Sequence, residues 1–244
     1  MLETRNLVHR FAGGFQGLSD VNARFPFDEL LVVTGENGAG KSLLARHLTG
    51  LMRPTSGAVL LDGTDIKRLG VRLHSEVGLV FQEAEHQVIG QTVREDLAFG
   101  PLQRGVPHDR AMHLVDQTLQ RFRLQPHADA EPHTLSGGEL RRLAVAGVAI
   151  VGTRYVILDE PFSSLDPRGV SDVLQTILQL RADRCGVMVI THELEKVLAH
   201  ADRLVILSHG GVAADDTPAA LLDRLRRHGL RRPAGRIEEM TWLD

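Results

Sequence analysis

The feature that most constrains this chain is an octapeptide at residues 35–42, Gly-Glu-Asn-Gly-Ala-Gly-Lys-Ser. It follows an apolar run at residues 30–34 and precedes apolar side chains at helical spacing, which predicts a buried strand, a glycine-rich turn and a helix. Backbone N–H groups in such a turn converge on an anion, and the partial positive charge at the helix N-terminus adds to the attraction. The sequence therefore predicts a phosphate-binding loop, with Lys41 on the β- and γ-phosphates of a nucleotide and the Ser42 hydroxyl on Mg²⁺.

All eight residues of this loop are expected to contribute to nucleotide binding, through backbone amides or side chains: Gly35, Glu36, Asn37, Gly38, Ala39, Gly40, Lys41 and Ser42. The following helix is predicted over residues 40–52, because Leu44, Leu48 and Leu51 recur at the spacing of one helix face. Strand, loop and helix together provide the setting that a phosphate loop requires.

Strand-like and helix-like patterns alternate along the rest of the chain. Four further apolar, β-rich runs are predicted to form strands, and they occupy residues 77–81, 155–158, 187–191 and 203–207. Helical patterns lie between several of these runs. This alternation predicts an α/β fold built on a mostly parallel sheet, and the phosphate-binding loop indicates a core of the P-loop NTPase type.

Three segments fall outside this alternation. Residues 83–150 carry no strong strand signal and are predicted to form a helical subdomain inserted into the sheet. The first 30 residues and residues 59–62 are predicted to form a small antiparallel sheet beside it. Residues 218–244 form a predicted helical tail, with Pro218 at the first helical position.

Composition limits the possible partners and locations. The net charge is -3, with 28 basic and 31 acidic residues mixed along the chain, so we expect no nucleic acid as a partner. The single cysteine excludes an internal disulfide and favours a reducing cytoplasm. The longest apolar run, residues 143–152, is far shorter than the roughly 20 residues that cross a bilayer. Any membrane role is therefore expected to be peripheral, through a partner.

Two adjacent carboxylates end one of the predicted strands. Residues 155–161 read Tyr-Val-Ile-Leu-Asp-Glu-Pro, so an apolar strand runs directly into two acids. Ligands of open α/β sheets bind at the carboxyl ends of the strands. We therefore expect Asp159 to hold Mg²⁺ and Glu160, pointing the other way on the strand, to polarise the attacking water.

A second glycine-containing motif, Leu-Ser-Gly-Gly-Glu, occupies residues 135–139. Taken alone, Ser136 and Glu139 form a capping box that starts a helix. With this motif the chain resembles the ATP-binding cassette (ABC) family, whose signature is LSGGQ or a close relative. The resemblance covers nearly the whole chain and includes the motif order, which implies a single cassette ATPase domain over residues 1–244.

The resemblance implies a nucleotide site shared between two subunits. The γ-phosphate of a nucleotide on a second ABC ATPase subunit would be bound by Ser136, Gly137 and Gly138. Homodimeric and heterodimeric pairs remain open. Glu139 replaces the commoner glutamine, and we expect its carboxylate to turn toward its own helix cap.

Further roles follow from the same resemblance. His192 corresponds to the switch histidine, which contacts the γ-phosphate and Glu160. Asp166 corresponds to the loop that crosses the dimer interface, although Asp166 followed by proline is also a good N-cap. Phe11 falls where the family often stacks an aromatic ring on adenine. Gln82 corresponds to the glutamine loop, which senses Mg²⁺ or the attacking water and contacts the membrane partner.

The residues after Gln82 indicate a branch of the family. Residues 81–101 read FQEAEHQVIGQTVREDLAFGP and resemble the energy-coupling-factor branch, typically FQ-x-P-x-x-Q and then V-x-E-D-x-A-F-G-P. Those ATPases drive uptake of cobalt, nickel, biotin and other vitamins. The resemblance implies a transmembrane coupling subunit and a substrate-binding membrane subunit as partners. The capping box at residues 92–95 predicts a helix over residues 92–99 that ends at Gly100 and Pro101.

Two other functions remain open at this stage. One is a conventional ABC importer that works with a periplasmic binding protein, and the other is a non-transport ABC ATPase that acts on nucleic acid. For the favoured importer, we expect a peripheral position on the cytoplasmic face of the cell membrane, with ATP and Mg²⁺ as cofactors.

Overall fold

Two β-sheets organise the structure, a computed structural model that describes residues 1–243. The ten strands are β1 (Leu2–Arg10), β2 (Gln16–Phe25), β3 (Leu30–Gly35), β4 (Ser56–Leu61), β5 (Thr64–Asp65), β6 (Val77–Val80), β7 (Tyr155–Asp159), β8 (Gly186–Ile190), β9 (Arg203–Ser208) and β10 (Gly211–Asp216). The larger sheet has the order β10-β9-β3-β8-β7-β6 and is parallel except for β10 on β9. The smaller sheet, β2-β1-β4-β5, is antiparallel throughout. The predicted fold class is therefore confirmed.

Helices connect the strands and cover both faces of the larger sheet. They are α1 (Lys41–Leu48), α2 (Leu73–Glu76), α3 (Val93–Gln103), α4 (His108–Arg121), α5 (Gly137–Ala149), α6 (Pro167–Ala182) and α7 (Pro218–Leu221). Between β6 and β7 the described chain is helical, with α3, α4 and α5, as expected for residues 83–150. None of the helices within residues 1–243 has both the length and the apolar character needed to cross a bilayer.

The predicted helical tail, residues 218–244, is helical only in part. From α7 it continues into a 3₁₀ helix, Leu222–His228, which Gly229 ends with φ +72°; residues 229–236 are not helical, and a short 3₁₀ helix spans Ile237–Glu239. The leucines of α7 and the first 3₁₀ helix share a buried face, and Pro218 occupies the start of α7. The last residue of the predicted tail, Asp244, lies outside the described residues.

Three neighbouring strands at the centre of the larger sheet position the candidate site. Every residue of β3, β7 and β8 is buried, which explains their uninterrupted apolar sequences. Because these strands are parallel, their carboxyl ends meet at one edge of the sheet. Gly35 ends β3, Asp159 ends β7, and Thr191 directly follows β8.

Two predicted helix ends are wrong. The helix α1 ends at Leu48 rather than at Met52, because Gly50 adopts a left-handed conformation with φ +73° and closes the helix. The helix α3 passes through Pro101 and ends at Gln103. Pro101 is buried together with Leu97 and Ala98, and this packing outweighs the one helix bond that proline removes.

Candidate active site

The phosphate-binding loop has the predicted setting between β3 and α1. Its Glu36, Asn37 and Gly38 are exposed, while Ala39 is buried. Gly40 has φ +100°, and a Cβ there would lie 2.8 Å from the Gly17 carbonyl oxygen. The loop geometry therefore requires glycine at this position, both for the backbone conformation and for the close approach.

Lys41 closes the phosphate-binding loop from its inner side. Its Nζ donates to the carbonyl oxygens of Gly35 at 2.8 Å and Glu36 at 3.1 Å. Burial lowers the pKa of this ammonium, while the carboxylates of Glu160 and Asp159 act in the opposite direction. The structure thus places the loop lysine beside both predicted acids.

Asp159 is a buried acid at the end of β7, with 8% of its surface exposed. Its Oδ1 has no hydrogen-bond partner within residues 1–243. Burial raises the pKa of this carboxyl, and the nearby Ser42 hydroxyl and Lys41 ammonium partly oppose the rise. A buried carboxylate oxygen without a partner, next to a hydroxyl, is a donor set that suits Mg²⁺.

Glu160 does not lie on the strand, contrary to prediction. β7 ends at Asp159, and Glu160 follows it with φ +47° while its N–H donates to the Ile190 carbonyl at 2.8 Å. Its Oε1 lies 3.0 Å from His192 Nδ1, so the two side chains are brought together as expected. The left-handed backbone turns Glu160 toward the end of β8, a direction that strand alternation did not predict.

Thr191 is a residue of this site that the sequence analysis missed. It is fully buried, and its hydroxyl donates to Glu160 Oε2 at 3.0 Å. Both carboxylate oxygens of Glu160 therefore have a partner, since His192 contacts the other one. The only signal in the sequence was a threonine before His192, which is too common to single out.

Beside the phosphate-binding loop lies an open cleft of about 880 Å³. Its walls come from the loop, from the segment that begins at His192, and from the C-terminal tail. The lining residues include Gly35, Glu36, Asn37, His192, Glu193 and Arg231. Residues 136–138 do not line this cleft in the part of the chain that the structure describes. The signature residues therefore do not belong to the same opening as the phosphate-binding loop.

The signature motif forms the N-terminus of α5. Ser136 is the N-cap, and the Glu139 carboxylate accepts from the Ser136 N–H at 2.8 Å and from its hydroxyl at 2.7 Å. The hydrogen bond from the Ser136 hydroxyl, and to a smaller extent that from the Ser136 N–H, lowers the pKa of Glu139. The expected turn of Glu139 toward its own cap is confirmed.

The two glycines of the motif pack against the start of α6. A Cβ on Gly138 would lie 3.0 Å from Gly169 Cα, and one on Gly137 would lie 3.1 Å from the Leu165 side chain. Asp166 is the N-cap of α6 and accepts from the Gly169 N–H at 2.8 Å. The structure thus brings Asp166 and the signature residues together on one surface.

Phe11 lies in the turn after β1 and is 43% exposed. A Cβ built on Gly17 would lie 2.5 Å from Leu43 Cδ2 and 2.7 Å from Phe11 Cε2. The Phe11 ring and the Leu43 side chain therefore lie close to each other, over Gly17. His9, a weaker candidate for the same role, is buried against His47 with a ring nitrogen distance of 3.1 Å. Phe11 is therefore more accessible than His9, and its ring stacks on that of the exposed Phe15 with a centroid distance of 6.0 Å.

Gln82 is exposed just after β6, which ends at Val80 rather than at Phe81. Its backbone carbonyl accepts from Arg141 Nη1 at 2.6 Å. The Gln87 side chain closes the same loop, since it accepts from the Phe81 N–H and donates to the Leu79 carbonyl. The loop after β6 is thus fixed by two long polar side chains, and only Gln87 belonged to a predicted motif.

Comparison with known proteins identifies the family. A model described as ABC transporter matches residues 18–163. The Energy-coupling factor transporter ATP-binding protein EcfA of Methanothermobacter thermautotrophicus is 34% identical over 96% of this chain and 77% of its own length. The Cobalt import ATP-binding protein CbiO of Syntrophus aciditrophicus is 37% identical over 98% of this chain and 89% of its own.

The fold agrees with these relatives. The solved structure of CbiO1 from Clostridium perfringens, described as part of the ABC transporter complex CbiONQ, has a TM-score of 0.84 and 28% sequence identity. The match covers 94% of each chain. This chain therefore belongs to the ABC transporter family, as one of its ATP-binding and ATP-hydrolysing cassettes.

Proposed function

We propose that this chain is the ATPase subunit of an energy-coupling-factor importer that takes up a metal ion, cobalt or nickel, or a vitamin such as biotin. Relatives named EcfA and CbiO support this assignment. The observation that carries it is the junction of the phosphate-binding loop, Asp159, Glu160 and His192 at one edge of the sheet, combined with the branch-specific segment after Gln82.

Hydrolysis in this proposal depends on Glu160 and His192. The Glu160 carboxylate orients a water for in-line attack on the γ-phosphate, since each of its oxygens can accept a second hydrogen bond besides the one from Thr191 or the contact with His192. Lys41 stabilises the charge on the transferred phosphoryl group, and the exposed His192 contributes a further hydrogen bond.

The residues near Asp159 fit Mg²⁺. Asp159 would hold the ion through its unpartnered Oδ1, and Ser42 through its hydroxyl, with Gln82 as a candidate third contact. Magnesium sites commonly use one or two carboxylates and complete their shell with water and substrate phosphates. When bound, the ion would neutralise charge on the β- and γ-phosphates.

A second ATPase subunit completes each site in this proposal. The helix N-terminus at Ser136, Gly137 and Gly138 has the N–H groups and dipole that bind phosphate. Asp166 lies on the same surface and would contact the partner across the interface. Phe11 would stack on the adenine of the nucleotide held by its own chain.

The membrane partners are proposed to dock beside Gln82. Two apolar side chains of α3, Phe99 at 47% and Leu102 at 39%, are exposed, as is Ile89 at 61% in the loop before it. An apolar surface connected to the site through Gln82 would transmit closure of the dimer to a transmembrane coupling subunit. The coupling subunit would then pass this movement to the substrate-binding membrane subunit. The chain would sit peripherally on the cytoplasmic face.

Capture from membranes tests this assignment. The tagged chain, extracted gently, is expected to retain a second ATPase, a transmembrane coupling subunit and a small substrate-binding membrane protein, which mass spectrometry identifies. Phe99→Asp should release the membrane proteins, while Phe15→Asp, an exposed phenylalanine elsewhere, should retain them. A periplasmic binding protein in the complex, or ATPase activity stimulated by nucleic acid, would contradict the assignment.

A further inference from the structure

Behind the Glu160–His192 pair lies a buried ammonium group. Lys196 is 7% exposed, and lysine is almost never buried unless it is paired. Its Nζ forms an ion pair with the Glu193 carboxylate and lies 3.5 Å from the Phe162 carbonyl oxygen. Phe162 follows Glu160 by two positions, and Glu193 directly follows His192. Lys196 thus joins the two loops that carry these side chains.

The C-terminal tail covers the lysine. The ring centroid of Trp242 is 5.2 Å from Lys196 Nζ, within the range of a cation–π contact. The tail is held in this position by a hydrogen bond of 2.7 Å between His200 Nε2 and the Thr241 hydroxyl, and by the buried side chain of Met240. The ammonium is therefore shielded from water on this side.

Contacts continue from the ion pair to the carboxylate that orients water. The Glu193 N–H donates to Thr191 Oγ1 at 3.0 Å, and the same hydroxyl donates to Glu160 Oε2. The second Glu193 oxygen, Oε2, is buried without a hydrogen-bond partner in the described chain, so the ion pair with Lys196 is what compensates its charge. A shift of the Glu193 backbone would therefore displace the Thr191 hydroxyl, which contacts Glu160 directly.

We propose that Lys196 is a positioning residue for ATP hydrolysis, which fixes the loop after Glu160 against the loop after His192. This proposal rests on the assignment of Glu160 and His192 to hydrolysis. Without the ammonium the two loops can separate, and the carboxylate loses its alignment with the γ-phosphate. The phosphate-binding loop does not depend on this contact, so kcat falls while KM for ATP is maintained.

Steady-state ATP hydrolysis by the complete transporter tests the proposal. Lys196→Met should lower kcat about tenfold, the order expected for a small misplacement, with KM changed by less than about twofold. Lys196→Arg keeps a cation and should recover most of kcat. The exposed Lys67 offers a matched control, and Lys67→Met should have the kcat of the parent protein. Equal kcat in Lys196→Met and the parent would overturn the proposal.

A double variant separates positioning from the cost of an unpaired charge. Lys196→Met with Glu193→Gln removes both charges, so an effect due only to the unpaired Glu193 would disappear. We expect kcat to stay low, because the Phe162 carbonyl still lacks its donor. Full recovery would overturn the positioning role.

Failure of this proposal differs from failure of the proposed catalytic roles. If Glu160→Gln abolishes hydrolysis and Lys196→Met does not lower kcat, only the role of Lys196 is wrong. If Glu160→Gln hydrolyses ATP at the parent rate, the catalytic assignment itself is wrong.

Discussion

The two regions of this chain that are proposed to bind nucleotide differ in how complete they are. The strand-end site, defined here as the phosphate-binding loop with Asp159, Glu160 and residues 191–192, is assembled by three adjacent strands. The signature tip, residues 136–138, lies at the start of α5 and packs against α6. Only the strand-end site opens onto the cleft beside the loop.

In the proposed function, one chain carries two halves of different sites. The strand-end site brings together the loop, the buried Asp159 carboxylate and the Glu160–His192 pair, so we propose that it binds nucleotide within one chain. The signature tip has the exposed helix N-terminus proposed to bind phosphate, and it does not line the cleft beside the loop. We therefore expect changes in the first region to affect single-chain properties, and changes in the second to affect only properties of the pair.

The largest effect is expected from Glu160→Gln within the strand-end site. Loss of a general base typically lowers kcat by about 10²–10⁴-fold, and ATP affinity should remain because Lys41 and the loop are intact. ATP turnover by the complete transporter and nucleotide binding by the purified chain measure the two quantities. Glu238→Gln, an exposed glutamate in the tail, is the control. Loss of ATP binding in Glu160→Gln would mean that the carboxylate supports the loop rather than the chemistry.

A substitution in the loop itself should weaken ATP binding. Gly40→Ala forces a side chain into a left-handed conformation and toward the Gly17 carbonyl, and such strain costs about 1–3 kcal/mol. ATP affinity should fall about tenfold or more, measured by titration with a fluorescent ATP analogue. Gly63→Ala provides the control, since Gly63 has φ +79° and open space around it. Equal ATP affinity in both variants would show that the tight approach at Gly40 is not required.

A smaller and different effect is expected at the signature tip. Ser136→Ala should lower hydrolysis by the pair about tenfold through loss of a charge-assisted hydrogen bond, without changing ATP affinity of the single chain. The lost helix cap costs about 1 kcal/mol, and Thr92→Ala removes a comparable cap from α3. Reduced ATP affinity in Ser136→Ala alone would contradict the division between the two regions.

The smallest effect concerns stability beside the loop helix. Burial, reinforced by His9, lowers the pKa of His47 from 6.5 to about 4, so the folded protein keeps this ring neutral. As the pH falls below 6.5, the histidine is protonated in the unfolded chain but stays neutral in the folded chain. The free energy of unfolding therefore declines until about pH 4, where the folded chain also binds the proton. The full loss is on the order of 3 kcal/mol, of which about 2 kcal/mol falls between pH 7 and pH 5.

Urea unfolding at pH 7 and pH 5 measures this decline in the free energy of unfolding. His47→Gln should reduce the difference between the two pH values, whereas His113→Gln, on an exposed helix face, should leave it unchanged. An equal decline in His47→Gln and the parent protein would exclude the buried histidine pair as its source. ATP affinity near neutral pH should not depend on this pair, in contrast to the loop glycine.

Local patterns were the most predictable part of the molecule. The strand before the loop, the capping box at Ser136 and the turn of Glu139 follow from contacts within a few residues. Helix ends were less predictable, because the burial of Pro101 overrides its local effect. The roles of Thr191, Lys196 and Arg141 depend on neighbours that are distant in sequence, and no local pattern indicated them.

The sequence by itself determined the fold class, the phosphate-binding loop, the acidic strand end and the order of the family motifs, because each depends on residue types at short, fixed spacings. The tertiary structure decided which strand ends are neighbours, and therefore that Glu160 meets His192 and Thr191 across β7 and β8. It also decided that the signature tip does not line the cleft beside the loop. Strand order and helix packing arise from the burial of all the apolar faces at once, so they cannot be deduced from one motif at a time.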